Sequence, residues 1–147
     1  MRVVDANVLV YSVDEDSPHH AAARSWMDEA LSGSEGVVLP WLCLLAFLRV
    51  TTHPRLYDHP LSIDQAVDLV EDWLGAPPVR TNAPTGAGAL APRLRRALND
   101  LGVGGNLVND AYLAALATSC GAAIVSFDSD FSRFTDLVWV NPATAGR

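Results

Sequence analysis

The sequence predicts an alternating α/β fold, one domain of strands and helices around a mainly parallel sheet, and three observations carry that prediction. Short apolar or β-branched runs such as Val3-Val4, Val37-Val38-Leu39 and Ile124-Val125 alternate with longer stretches of helical spacing. Two of these runs end at or just before an aspartate, Asp5 and Asp128, and the carboxyl ends of strands are where open α/β sheets bind ligands. The 147 residues hold no repeat, linker or low-complexity tract. They therefore fit one domain over residues 1–147, whose core can bury roughly two thirds of the unfolded surface.

Met1-Arg-Val-Val-Asp-Ala-Asn7 reads as a buried central strand with a polar tip: the valines favour a strand, Asp5 and Asn7 a turn or helix cap. Val8-Leu-Val10 then resumes an apolar helical pattern. Ser17-Pro18 is expected to open a helix that runs to about Leu31 and is stopped by Gly33 and Gly36. Residues 36–39 form a second short strand. Pro40 starts a helix from Trp41 to about Thr52 that is apolar on nearly every side and so reads as buried. Its exception is Arg49, which a core would keep only with an anionic partner, through a salt bridge or a phosphate contact. Ser62 caps an amphipathic helix to Leu74, and Gly75-Ala-Pro-Pro78 breaks it before a brief strand at residues 79–81. Another helix covers roughly Gly86 to Leu101 and carries the basic cluster Arg93, Arg95 and Arg96. The loop from Gly102 to Asn106 introduces a helix over residues 107–117 with Asp110 in its first turn. Residues 122–126 form a buried strand, followed at once by Asp128 and Asp130, and residues 137–140 form the last strand.

Composition narrows the chemistry. The ten basic residues are all arginines, so a P-loop lysine and a lysine Schiff base are excluded. A net charge of −7 argues against non-specific DNA binding, whose affinity comes from neutralising phosphates. An acidic protein that cuts nucleic acid needs cations among its carboxylates. Cys43 and Cys120 sit in apolar runs and read as small buried hydrophobes, which suits a reducing compartment. No signal peptide and no apolar run near the ~20 residues of a membrane span is present, and the expected location is the cytoplasm. The acidic triplet Asp14-Glu15-Asp16 and the pair His19-His20 read as solvated surface, and no His or Cys stands at zinc-ligand spacing.

Asp5, Asp110 and Asp128 thus approach one rim of the sheet. Each alone reads as a helix cap, whereas three converging carboxylates repel one another unless a hard, oxygen-ligated cation such as Mg²⁺ or Mn²⁺ sits among them. Such a site handles phosphates. No G-x-S-x-G elbow and no D-x-D after the first strand occurs, so serine-type catalysis and an aspartyl-phosphate mechanism are not signalled.

Along nearly its whole length the chain resembles the PIN-domain ribonucleases, in particular the VapC-like toxins of bacterial type II toxin-antitoxin pairs. The carriers are Val4-Asp5-Ala-Asn7-Val-Leu, Leu44-Leu-Ala-Phe-Leu-Arg49-Val-Thr-Thr-His-Pro54, Leu107-Val-Asn-Asp110-Ala-Tyr-Leu-Ala-Ala-Leu-Ala117 and Ser126-Phe-Asp128-Ser-Asp130-Phe131. The resemblance implies a three-layer α/β/α sandwich, Mg²⁺-dependent hydrolysis of RNA phosphodiesters, a homodimer, and inhibition by a small antitoxin. It further implies that Asp5, Asp110 and Asp128 hold the metal and act as the catalytic residues, with Asn7 as a polar helper and Asp130 as an accessory. Arg49 is expected to contact a phosphate or to brace an aspartate. One position departs: Ala46 stands where many members carry a glutamate, and the thiol of Cys43 is too soft to replace a magnesium ligand. Two other readings remain open, a PIN domain that binds RNA or a partner without cutting, and an interaction module whose aspartates are only caps.

Overall fold

The computed structural model describes residues 1–82, 87–102 and 104–144. In chain order the elements are β1 (Arg2–Val4), α1 (Ala6–Val13), α2 (His20–Ser32), β2 (Val37–Val38), α3 (Trp41–Thr51), α4 (Ile63–Gly75) and β3 (Val79–Arg80). They continue with α5 (Ala87–Leu101), α6 (Val108–Ser119), β4 (Ala123–Val125) and β5 (Trp139–Val140), with single 3₁₀ turns at Gly105–Leu107 and Ser129–Arg133. The predicted helix start at Gly86, and Val103 in the loop that follows, lie outside the described residues.

All strand pairings are parallel and the order is β3-β2-β1-β4-β5, so β1 lies at the centre. A central parallel strand is covered on both faces, and Val3, Val4, Ile124 and Val125 are buried accordingly. Val3 stands beside Val38 in β2 and Ile124 in β4. The chain leaves β1 toward β2 and β3, then returns across the sheet to β4. With right-handed crossovers that reversal puts α1–α4 on one face and α5–α6 on the other, the expected three-layer α/β/α sandwich. It also makes the gap between the carboxyl ends of β1 and β4 the topological switch point, where such sheets open a ligand crevice.

Packing follows sequence pattern closely in the covering layers. Ser62 and Gln65 form a reciprocal capping box at the start of α4, and Trp73 of that helix meets Phe47 of α3 edge to face at 4.8 Å. The alanine-rich α6 buries residues 113–117 almost completely. Cys43 is buried and Cys120 half-buried, and neither forms a disulfide. Among the described residues no helix is long and apolar enough to cross a membrane.

Two expectations require correction. Helix α2 begins at His20: residues 18–19 form a turn, in which the Ser17 hydroxyl accepts the His19 N–H at 3.2 Å and the Ser17 carbonyl accepts the His20 N–H at 3.0 Å. Helix α3 is buried on one side only: Trp41 and Leu45, at 49% and 59% exposure, form an outer stripe with Arg49, which is also exposed. Arg49 therefore has no need of the buried partner that its apolar neighbours implied, and among the described residues it makes no ion pair. In the basic cluster, Arg96 pairs with Asp136 at 2.7 Å, on the surface.

Candidate functional site

The tips of β1 and β4 are cross-linked by one polar network. The Asp5 N–H donates to the Val125 carbonyl at 3.0 Å, which fixes the residue immediately after β1 against its neighbour strand. Its carboxylate then accepts three hydrogen bonds: the Ala6 N–H on Oδ1 at 2.7 Å, and on Oδ2 the Asn7 amide at 2.9 Å and the Ser126 hydroxyl at 2.7 Å. The Asn7 amide also reaches Ser126 Oγ at 2.9 Å, while its Oδ1 accepts the Phe127 N–H at 3.2 Å. Ser126 Oγ accepts the Asp128 N–H at 3.0 Å, and the Ser126 carbonyl accepts the Trp139 indole N–H at 2.9 Å, which ties β5 to the same point. Asp128 in turn caps the Ser129–Arg133 turn through the Asp130 N–H at 2.8 Å.

Ser126 is the member the sequence did not single out. It is fully buried, and its one hydroxyl joins Asp5, Asn7 and the Asp128 backbone. A lone serine at a strand end carries no signal; a serine two residues before an aspartate, at the end of a strand that pairs with the Asp5 strand, would have been the clue. Ser126→Ala is expected to destabilise the protein by about 1–3 kcal/mol, because buried polar partners lose their hydrogen bonds. Chemical denaturation checks this, and an unchanged midpoint would refute the structural role of the hydroxyl.

Asp110, in the first turn of α6, is half-buried and accepts no hydrogen bond among the described residues. Its carboxyl is pushed up to about 6, first by burial and then by the charges of Asp5, Asp128 and Asp130. Asp5 is also raised, by burial foremost, against the lowering effect of the Ser126 and Ala6 hydrogen bonds and with a further rise from Asp128. Cys43 of α3 faces the same carboxylates: burial pushes its thiol up, and the charges of Asp5 and Asp110 add to the shift. The thiol is thus protonated and inert.

The PIN-domain family model matches residues 2–137. The chain belongs to the PIN-domain family. It is 47% identical over 142 residues to a protein named ribonuclease VapC37 of Mycobacterium tuberculosis (strain H37Rv), an alignment that covers 97% of each chain. A second relative from that species, ribonuclease VapC33, is 33% identical over 97% of this chain and 98% of its own. Among solved structures, the fold matches VapBC2 from Rickettsia felis bound to a promoter DNA fragment, with TM-score 0.65, 17% identity and coverage of 95% and 97%. It also matches VapBC-1 from nontypeable Haemophilus influenzae, with TM-score 0.65, 16% identity and coverage of 97% and 98%.

Within this PIN domain the sequence-predicted residues come together unevenly. Asp5, Asn7, Asp128 and Asp130 share one hydrogen-bonded network, and Asp110 joins them through space; Arg49 lies on the outer face of α3, joined to none of them by a hydrogen bond or ion pair. The capping reading is also true in part, since Asp5 and Asp128 do cap. Asp110 caps nothing, so capping does not explain the group. Among the described residues no three His, Cys, Asp or Glu side chains stand close enough together to hold one ion as they are placed. Mg²⁺ asks for less: it usually takes one or two carboxylates and keeps several waters. Oδ1 of Asp5, both oxygens of Asp110 and Oδ2 of Asp128 retain acceptor capacity, hard donors that suit such an ion. Ala46, three residues after Cys43 on α3, is half-buried and adds no ligand.

Proposed function

We propose that this PIN domain is a metal-dependent endoribonuclease, the toxin of a type II toxin-antitoxin pair, which hydrolyses RNA phosphodiester bonds and is neutralised by a small antitoxin. One observation supports the chemistry most directly: Asp110, without a hydrogen-bond or ion-pair partner among the described residues and partly desolvated beside the charges of Asp5, Asp128 and Asp130, keeps its charge at neutral pH at a cost that a bound cation would remove. The names of its relatives support the activity, and the toxin-antitoxin complexes among its structural neighbours support the partner.

Asp110, Asp5 and Asp128 would hold Mg²⁺ or Mn²⁺, and the ion supplies an activated water and charge stabilisation for the leaving oxygen. The protein's own part is positional. Ser126 and Asn7 both donate to Oδ2 of Asp5 and the Ala6 N–H to Oδ1, which fixes the carboxylate through both oxygens, and the Asp130 N–H fixes Asp128. The aspartates hold metal and do not attack. Incubation of purified protein with single-stranded RNA, with and without Mg²⁺, tests the reading. Cleavage only with metal, absent in Asp110→Asn, is expected, and metal-independent cleavage would overturn it.

The same reading includes a homodimer. Trp41 and Leu45 on α3, with Ile63 and Val67 on the adjoining α4, are large apolar side chains left in solvent. Light scattering is expected to give the mass of a dimer at micromolar concentration, and Leu45→Glu to lower it. A wild-type monomer would count against self-association.

A further inference from the structure

The rim beside Asp128 carries more aromatic surface than the carboxylate network uses. The rings of Tyr11, His19 and Phe127 form a closed cluster, with centroids 5.2 Å apart for Tyr11 and His19, 5.4 Å for Tyr11 and Phe127, and 4.6 Å for His19 and Phe127. Phe127 immediately precedes Asp128, and its N–H is held by Asn7, so the inner end of the cluster is anchored to the candidate metal site. His19 occupies the N-cap position of α2 yet makes no capping hydrogen bond. Its exposed ring, which the sequence reads as plain solvated surface, lies on Phe127 instead.

On the far side, Tyr11 and His19 line an open cleft of about 680 Å³ whose other walls include Leu56, Tyr57, Asp16 and Asp58. Leu56 is 60% exposed there, an apolar wall. The Tyr57 hydroxyl donates to Asp14 Oδ2 at 3.2 Å, while Asp16 and Asp58 accept no hydrogen bond among the described residues. No arginine lines the cleft. Three carboxylates, Asp14, Asp16 and Asp58, against no arginine and only the imidazoles of His19 and His59, disfavour a phosphate, and a metal ion is not the natural occupant either, since no three ligating side chains among the described residues stand close enough to hold one.

We propose that this cleft receives one nucleobase of the RNA strand next to the cleaved phosphate, a base whose edge carries hydrogen-bond donors, guanine above all. The inference rests on the carboxylate network being a nuclease centre. Unstacked bases of single strands lie on aromatic rings and are read along their Watson–Crick edges. Carboxylates accept from exocyclic amines, and guanine offers its 2-amino group and the adjacent N1–H together, where uracil offers one N–H and two repelled carbonyl oxygens. The backbone phosphate then falls toward Asp128 and the metal, the base toward Asp16 and Asp58. The strand's negative and neutral parts are sorted by the charge of the surface they meet.

Two measurements on the full chain test this. Metal-free protein is titrated with guanosine, cytidine, adenosine, uridine, inorganic phosphate and N-acetyl-argininamide, with the aromatic proton resonances followed by NMR. Cleavage sites on a random-sequence single-stranded RNA are mapped with Mg²⁺. Guanosine is expected to shift Tyr11, His19 and Phe127 and to bind more tightly than uridine, with no shift from phosphate. His19→Ala is expected to weaken guanosine binding about tenfold or more, and Asp58→Asn to erase the preference over uridine; both positions are exposed, so the fold tolerates them. Cleavage beside guanosine by the wild type, with that preference flattened in both variants, completes the expected result. No nucleoside shift, affinities unchanged in both variants, or tighter binding of N-acetyl-argininamide than of any nucleoside would overturn the inference, the last by assigning the cleft to a protein partner. Guanosine binding that His19→Ala abolishes, in a protein that cuts no RNA, would instead leave the base site standing and remove the nuclease reading.

Discussion

Asp110→Asn is expected to cut RNA hydrolysis by about a thousandfold or more, and to make the metal-free protein melt higher than wild type at pH 8. The two effects have one origin. The Asp110 carboxyl titrates near 6 in the folded protein, against an ordinary value of 3.8. Below the ordinary value it is protonated in the folded and unfolded chain alike and contributes nothing. As pH rises past 3.8 the unfolded chain releases the proton first, so the folded state is progressively penalised, and the penalty is complete once pH passes 6. For a half-exposed group, solvent screening reduces that penalty to the order of 1 kcal/mol. The asparagine variant lacks it. The melting difference between the two proteins should therefore be near zero at pH 3.5, grow between pH 4 and 6, and stay constant above. Mg²⁺ at pH 8 should raise the melting temperature of wild type and scarcely move the variant, because the ion has lost the ligand whose charge it neutralised. A variant that cuts RNA at the wild-type rate, or a difference at pH 8 no larger than at pH 3.5, would remove Asp110 from the metal site.

The alternating pattern made the order of elements readable, and all five strands of the sheet lie inside segments the sequence marks. Local chemistry fails where two uses of one side chain compete. Ser17 looks like a cap before a helical proline, but its hydroxyl and its carbonyl close a turn over His19 and His20 and the helix begins later. Helix α3 reads as wholly buried because hydrophobicity alone does not separate a core face from an outer stripe such as Trp41 and Leu45. The places of Asp5 and Asp128 after strands and of Asp110 at a helix start were legible because an aspartate in such a position is locally distinctive. Ser126 and the His19–Phe127 contact were not, since each depends on residues more than 100 positions apart meeting across the switch point. Arg49 illustrates the reverse error. Its apolar neighbours implied burial, yet the register leaves it outward.

Ala46→Glu is expected to tighten Mg²⁺ by about tenfold, on the order of 1.4 kcal/mol, because affinity in hard-cation sites rises with ligand charge. Position 46 lies three residues beyond Cys43, about 60° around the helix from the side chain that already feels the charges of Asp5 and Asp110. A glutamate is long enough to extend from that face toward the carboxylates, and the half-buried position leaves room for its stem, so the steric cost is about 1 kcal/mol. Without metal the added charge acts in the opposite direction. A further carboxylate beside Asp110 raises the cost of keeping that group ionised, and the metal-free variant should melt below wild type at pH 8 while the gap narrows at pH 4, where Asp110 is protonated. Melting curves at both pH values, with and without Mg²⁺, separate the two contributions. The expected pattern is a variant less stable than wild type when stripped of metal and gaining more on its addition, with RNA cleavage reaching half its maximum at a lower Mg²⁺ concentration. A variant that gains no more from Mg²⁺ than wild type does would mean that residue 46 points away from the carboxylates, and that the shell is filled by water where a fourth acid was expected.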